Sequence, residues 1–442
     1  MIFDFVPLSR SRGVKLLTPI AVIFIIAALD YGTFWSLGHQ EIYKRHSKGV
    51  AIALWVLVAF TQFNALLYWS LIFIMGPGKS PQFQPLDIYE SGDPELTPCP
   101  DMFFCDQYGF PTFNSHAQSI MVNRAFFSKD LGYNVLKYDH YCLWIGTVIG
   151  EPNYIFFMKY CQWFLSFFLI MMVFLIRYTP SNVASGEINH MFIPMYILGG
   201  LATLIIGALY AVHNRYVAIN MTTLDEVTGN QRRAYAKYKQ QTNPRRPPPR
   251  KEEGIRYVNV KKDDLRLVVS YDVKQQLFNM GYKRNWINLV YNGNRNHGLP
   301  DDFYTTSRFI SSLVIYILPY IDIYYAFKYA HRPELDCEGG SELERKRLKF
   351  ESYGSQVNEE FRSYIYGKAE RKECYIASYV SPQVQKSAGG HYSKTATEGR
   401  ISSEETQKLG KGNRNSTGSI PTSKAETDSS FEKKQAEMNA DP

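Results

Sequence analysis

Hydrophobic positions along this chain fall in blocks rather than stripes. Four stretches, from about Leu16 to Gly38, Val50 to Met75, Tyr154 to Ile176 and Met191 to Val212, are apolar on every side. A bilayer-spanning helix needs roughly 20 mainly apolar residues, and a helix that is apolar all round is not the one-faced helix of a soluble surface. The pattern predicts four membrane spans, with a polar segment between the second and third and a longer one after the fourth. A fifth run, Phe309 to Phe327, is broken by Pro319 and carries Asp322. Its tyrosines suit a helix lying in the interface or packed on a soluble part. The expected fold class is an all-α polytopic membrane protein.

Composition changes the picture little. Hydrophobic residues make up 45% of the 442 and charged residues 20%, which argues against a wholly soluble enzyme. Six cysteines, at 99, 105, 142, 161, 337 and 374, are too scattered for a secreted disulfide framework. The first apolar run is too long for a cleaved signal peptide and lacks a small-residue cleavage site.

Charge sets the orientation. Arg10, Arg12 and Lys15 precede the first run, and Arg215, Arg232, Arg233, Lys237 and Lys239 follow the fourth. Lys44, Arg45 and Lys48 in the first loop point the other way. By the positive-inside rule both termini and the 76–153 segment are expected in the cytosol. Asn415-Ser416-Thr417 would accept a glycan only if the tail were lumenal. The expected domains are a cytosolic N-terminus (1–15), spans 1 and 2 (16–75), a small cytosolic catalytic domain (76–153) and spans 3 and 4 (154–214). A cytosolic membrane-proximal region (215–334) and a polar, largely disordered tail (335–442) follow. Asp30, in the first run, is a membrane carboxylate with either a function or a hydrated end position. Lys159 is expected to snorkel to the cytosolic surface. The basic run Arg245-Arg246-Pro-Pro-Pro-Arg250-Lys251 is either an anionic-lipid contact or a solvated linker.

The chemistry sits just before the third run, in Asp139-His140-Tyr141-Cys142. A thiol reacts as its thiolate, and an imidazole beside it can accept the proton and stabilise the charge. An adjacent carboxylate can orient that imidazole and raise its basicity. Cys142 lies close to a predicted span, so its sulfur would act on something lipidic or membrane-held.

These residues resemble the Asp-His-His-Cys signature of the DHHC protein S-acyltransferases (palmitoyltransferases), in a fungal Asp-His-Tyr-Cys variant. Trp144 falls where the family has Pro-Trp, and Gly150, Asn153 and Phe157 match its Gly-x-x-Asn-x-x-x-Phe entry into the third span. Arg124 occupies the family's arginine position, and Gly76-Pro77-Gly78 resembles its Asp-Pro-Gly. Thr222-Thr223-Leu224-Asp225 resembles Thr-Thr-x-Glu with a shortened acid. Asn279-Met280-Gly281 with Asn285-Trp286 resembles its C-terminal Asn/Tyr/Gly motif. The resemblance covers roughly residues 10 to 295. It implies transfer of a long-chain acyl group from acyl-CoA, the co-substrate, through S-acyl-Cys142 to cysteines of membrane-associated substrate proteins. His140 would be the base and Asp139 its orienting acid. Trp144, Asn153, Thr222, Thr223, Asp225 and Asn285 would brace the site. Lys137, Lys159 or Arg215 would meet CoA phosphates, and membrane lipids but no nucleic acid would be partners. The enzyme would be an integral protein of the endomembrane system or plasma membrane.

The departures concern metal. The family's cysteine-rich domain holds two structural zinc ions, and the aligned ligand positions here are Asn114, Ala117, Phe127 and Asn134 for one and Ser128, Leu131, Tyr141 and Val148 for the other. Neither is a Cys/His set that fits zinc, so no metal is expected. Structural zinc can contribute of order 10 kcal/mol, and an aromatic core of Phe103, Phe104, Phe110, Phe113, Phe126, Phe127, Tyr133 and Tyr138 is expected in its place. Cys99, Cys105 and His116 would be remnants of a new metal site if they met. Two other readings remain, a catalytically silent membrane adaptor and a small transporter or receptor.

Overall fold

The structure, a computed structural model, describes residues 12–186, 189–229, 255–263, 265–272, 276–291, 299, 301–328 and 341–380, with no statement made for the side chains of 12–16 and 255. Arg10, Arg232, Arg233, Lys237, Lys239, the basic run at 245–251, Cys337 and Asn415 lie outside these residues.

The four apolar blocks form the four predicted long helices. α1 (Arg12–Tyr31) runs into a π-helical segment (Gly32–Tyr43). α2 (Lys48–Met75) starts at Ser47, whose hydroxyl accepts the Val50 N–H. α3 (Tyr154–Ala184) and α4 (Phe192–Ala218) complete the set. All four are long and apolar enough to cross a membrane. Their inward faces share a core of Leu54, Val58, Phe167, Phe168, Met171 and Met195, while Phe24, Val56, Leu66, Val173 and Leu204 point outward. Apolar side chains on the outside are what helices facing lipid require. Asp30 accepts from Gln62 of α2 at 3.0 Å.

The chain is mostly helical, which corrects the all-α expectation. Between α2 and α3 the backbone folds into short antiparallel hairpins: β2 (Phe113–Asn114) with β3 (Ser119–Ile120), β4 (Phe126–Ser128) with β5 (Tyr133–Val135), and β6 (His140–Cys142) with β7 (Thr147–Ile149). Just before them, β1 (Met102–Cys105) is the edge of a four-stranded antiparallel sheet in the order β10-β9-β8-β1. Its other strands are β8 (Ile255–Lys262), β9 (Leu265–Asp272) and β10 (Tyr375–Ile376). Val258, Val260, Leu267 and Val269 bury one face of this sheet.

Three further helices cover the C-terminal region before the last two. α5 (Tyr282–Tyr291) is followed by α6 (Thr306–Ile317) and α7 (Ile321–Lys328), and α6 and α7 meet at a 111° bend. The fifth apolar run is thus a bent pair, broken next to Pro319 as its sequence predicts. Its inner side packs on α2, α3 and α5. There the expectation for Lys159 is corrected. Its ammonium is fully buried and donates to the carbonyls of Ile315 (3.1 Å) and Leu318 (2.6 Å), freed where α6 ends. Asp322 lies 3.9 Å from it and accepts from Tyr68 Oη at 2.8 Å.

The polar tail also needs correction. Residues 341–380 hold α8 (Glu342–Tyr353), α9 (Glu359–Glu370) and β10. α9 lays Phe361, Ile365 and Ala369 on the sheet, and Phe350 of α8 meets Phe83 edge-on at 5.2 Å. The rest of the predicted tail lies outside the described residues.

Candidate active site

Asp139, His140 and Cys142 stand on and beside the β6–β7 hairpin. Its register is His140 against Ile149, Tyr141 against Val148 and Cys142 against Thr147, closed by a turn in which Gly146 takes φ +86°. The hairpin is fixed from below by Asn153, fully buried at the start of α3. Its carboxamide accepts from Gly150 N at 2.9 Å and donates to the carbonyls of Val148 at 3.0 Å and Ile72 at 3.4 Å. Gly150 itself admits no side chain, since a Cβ there would come within 2.3 Å of the Pro77 carbonyl. This close approach explains why Gly76-Pro77-Gly78 and Gly150 go together in the sequence.

A second support comes from beyond α4. Thr222 and Asp225 cap each other: Thr222 Oγ1 accepts from Asp225 N at 3.1 Å, and Asp225 Oδ2 accepts from Thr222 N at 3.0 Å. Helical residues begin at 223. Asp139 therefore faces the electropositive start of that helix. Thr223 donates to it twice, from N to Oδ1 and from Oγ1 to Oδ2, each at 2.8 Å. Arg124 pairs with Asp225 and donates to the carbonyl of Asn220 at 3.1 Å, tying the segment between α2 and α3 to this cap. Asn285 reaches the same corner from α5, donating to the Ala218 carbonyl at 2.7 Å.

The carboxylate orients the imidazole. Asp139 Oδ2 and His140 Nδ1 are 2.6 Å apart. Burial alone would raise the Asp139 pKa, but its bond to His140, the His140 charge and the Thr223 N–H hold it below the usual carboxylate range. Burial alone would lower His140, yet the hydrogen bond to Asp139 and the nearby Cys142 sulfur push it up to about 10. Cys142 is buried, 4% exposed. At neutral pH an imidazolium thus stands beside the Cys142 sulfur.

Not every predicted residue converges here. Trp144 is 54% exposed in the hairpin turn. Lys159 is committed to the α6–α7 bend and cannot meet a CoA phosphate. Arg215 is mostly exposed, 4.0 Å from Glu226. Lys137 lies beside Asp139, lining a polar recess of about 40 Å³ with Glu151, Asn220 and Asn285, and burial together with the Arg124 charge lowers its pKa to about 8. Two residues the sequence reading missed do converge. Tyr154 Oη and His213 Nδ1 are 2.9 Å apart, and the His213 ring lies 5.7 Å from that of His140. The fourth apolar run read from the sequence ends at Val212, one residue short of His213. A histidine two to three turns before Thr222 was the available signal.

The former ligand positions carry other contacts. Leu131, Val148 and Tyr141 join Val135, Tyr133 and Tyr138 in one apolar cluster. At the other quartet, Asn114 Oδ1 accepts from Ala117 N at 2.9 Å, Phe127 pairs with Asn134 across β4–β5, and the His116 ring stacks on Phe127 at 5.5 Å. None of the eight side chains fits zinc. Phe110 and Phe113 are exposed at 37% and 46%, so aliphatic residues replace part of the expected aromatic core. Among the described residues, Cys99, Cys105 and His116 do not form a ligand cluster; the cluster that does occur is Asp139, His140 and His213.

With this geometry in place, comparison with known proteins decides the family. The profile of the DHHC palmitoyltransferases matches residues 107–230. Palmitoyltransferase PFA5 of Candida albicans is 45% identical over 380 residues, covering 84% of this chain and 94% of that protein. The chain belongs to the DHHC palmitoyltransferase family. Palmitoyltransferase PFA5 of Kluyveromyces lactis is 30% identical over 47% of this chain and 63% of its own length, and that of Saccharomyces cerevisiae 27% over 48% and 63%. As a DHHC enzyme the chain is a protein S-palmitoyltransferase, a membrane protein whose family works on acyl-CoA and protein substrates.

Proposed function

We propose that Cys142 is the nucleophile that carries the acyl group, with His140 as its proton carrier and Asp139 as the orienting acid. In the first half-reaction the Cys142 thiolate attacks the thioester carbonyl of a long-chain acyl-CoA. The S–C bond to Cys142 forms, the S–C bond to CoA breaks, and the CoA sulfur takes the proton from His140. In the second, His140 accepts the proton of a substrate protein's cysteine, whose sulfur displaces Cys142. The thiolate returns to its place beside the imidazolium. Exchange of one thioester for another is nearly isoenergetic, so the protein needs mainly to position groups and supply thiolate. The observation that carries this reading is the 2.6 Å Asp139–His140 bond beside a buried thiol.

The same reading puts the 76–153 segment and both termini on the cytosolic side, with substrate cysteines and membrane lipids on that face, in the endomembrane system or plasma membrane. Arg45, which spoke against this orientation, lies 3.6 Å from buried Glu41 and donates to Ser185 at 2.7 Å, so its charge is partly answered within the protein. In this reading no zinc holds the catalytic domain: the Leu131–Val135–Val148 cluster stands where one ligand set would be and the Asn114 turn where the other would be.

The test is acyl loading of the purified protein with labelled palmitoyl-CoA, followed by hydroxylamine. Hydroxylamine-labile label on Cys142, absent in Cys142→Ala and reduced by about three orders of magnitude in His140→Ala, is the expected result. Label on another cysteine of folded protein would contradict it.

A further inference from the structure

Two polar groups at the site have no part in the scheme above. His213 is 3% exposed near the end of α4, and its ring lies 5.0 Å from Phe157 and 5.4 Å from Tyr216. A buried imidazole among aromatic rings carries a desolvation cost that Phe or Leu would avoid, so its position calls for a polar role. Tyr154 of α3 supplies one partner, 2.9 Å from His213 Nδ1. On the other side, nitrogens of His213 and His140 and an oxygen of Asp139 all lie within 4.8 Å of one another. That spacing also suits a metal, but both Asp139 oxygens already accept from Thr223, and Oδ2 from His140 as well. A carboxylate so occupied is a poor ligand.

We propose that Tyr154 and His213 form a positioning pair for the catalytic imidazole: the phenol fixes the His213 ring, and that ring, set against His140, fixes the plane through which the proton passes. The inference rests on the assignment of His140 as proton carrier and deepens it. His140 gives up a proton in the first half-reaction and accepts one in the second. Its Nδ1 must stay on Asp139 throughout, because a flipped ring would present the wrong nitrogen to sulfur. Asp139 holds the Nδ1 edge of the ring, and Phe157 and His213, at 5.2 and 5.7 Å from it and 5.0 Å from each other, form one wall beside it carried by two helices.

The experiment is single-turnover loading of the full-length protein with labelled palmitoyl-CoA. Wild type is compared with Tyr154→Phe, His213→Phe, the double variant and His213→Asn, with Cys142→Ala and His140→Ala as controls. Each single variant is expected to load roughly 10- to 100-fold more slowly, with half-saturation by palmitoyl-CoA changed less than about twofold. The double variant should be no slower than the worse single, because the two share one interaction. His213→Asn, which restores a polar partner for Tyr154, should recover part of the rate. Tyr154→Phe removes one oxygen and keeps the test open if His213→Phe does not fold. Variants that lower the unfolding temperature but leave the loading rate per folded molecule unchanged would overturn the inference alone. Label persisting in Cys142→Ala would overturn the underlying scheme and the inference with it.

Discussion

Asp139 and Asp322 are both buried next to a basic side chain, and they are built differently. Asp139 is saturated: three donors from Thr223 and His140 reach its two oxygens at 2.6–2.8 Å. Its basic partner is titratable and 23% exposed at the side chain. Asp322 is enclosed with a partner equally enclosed, both side chains at 0% exposure, and Lys159 stands off at 3.9 Å. Its Oδ2 has no hydrogen-bond partner among the described residues. The first pair has an exit for a proton and donors that define one geometry. The second has no exit and spends its lysine on carbonyls at a helix break. Burial of a charged pair by itself therefore says nothing about catalysis: buried Glu41 also accepts from Ser181 and Asn182 and meets a part-exposed His46, and what sets the proposed catalytic pair apart is the Cys142 sulfur beside its base.

The comparison can be broken by mutation. Asp139→Asn should cut acyl loading at neutral pH by roughly three to four orders of magnitude, while the unfolding temperature shifts less than in the next variant, because His140 can release its proton and leave no stranded charge. Asp322→Ala should do the reverse. It strands the Lys159 charge and should lower stability by roughly 3–5 kcal/mol, read from thermal unfolding in detergent, with loading per folded molecule unchanged. A companion Lys159→Met in the Asp322→Ala background should recover part of that loss. Arg124→Ala, which frees Asp225 and the Thr222–Thr223 cap, lies between the two and should slow loading about tenfold with a stability loss of about 2 kcal/mol. Smallest of all is chelation: treatment with a strong zinc chelator should change neither loading nor unfolding temperature, and a clear fall in either would show that metal holds the domain.

The Asp139–His140 pair was legible in the sequence and the Asp322–Lys159 pair was not. Asp139, His140 and Cys142 are neighbours in the chain, and the Thr222-Thr223-Leu224-Asp225 cap keeps its four-residue spacing wherever it docks. Asn153 could be read the same way, from its place at the entry to α3. Lys159 finds its partners only across 156–163 positions, in a bend that periodicity does not encode. The sheet was hidden for the same reason, since β1 pairs with a strand about 150 residues later. For α9 the signal was present but short: Phe361, Ile365 and Ala369 recur every four residues within a segment otherwise polar enough to pass for disorder.

The most direct test of the central claim, that Asp139 holds His140 charged beside Cys142, is the pH dependence of loading in wild type and Asp139→Asn. Asp139 raises the His140 pKa above its ordinary 6.5 to about 10. The charged pair, and the stability it contributes, should be fully present below about pH 6.5 and lost as pH rises through about 10. Wild-type loading should therefore hold level through neutral pH and fall only near pH 10. In Asp139→Asn burial acts on His140 without its counter-charge, so the residual activity should decline at a pH several units lower. An alkaline limb at the same pH in both proteins would contradict the account.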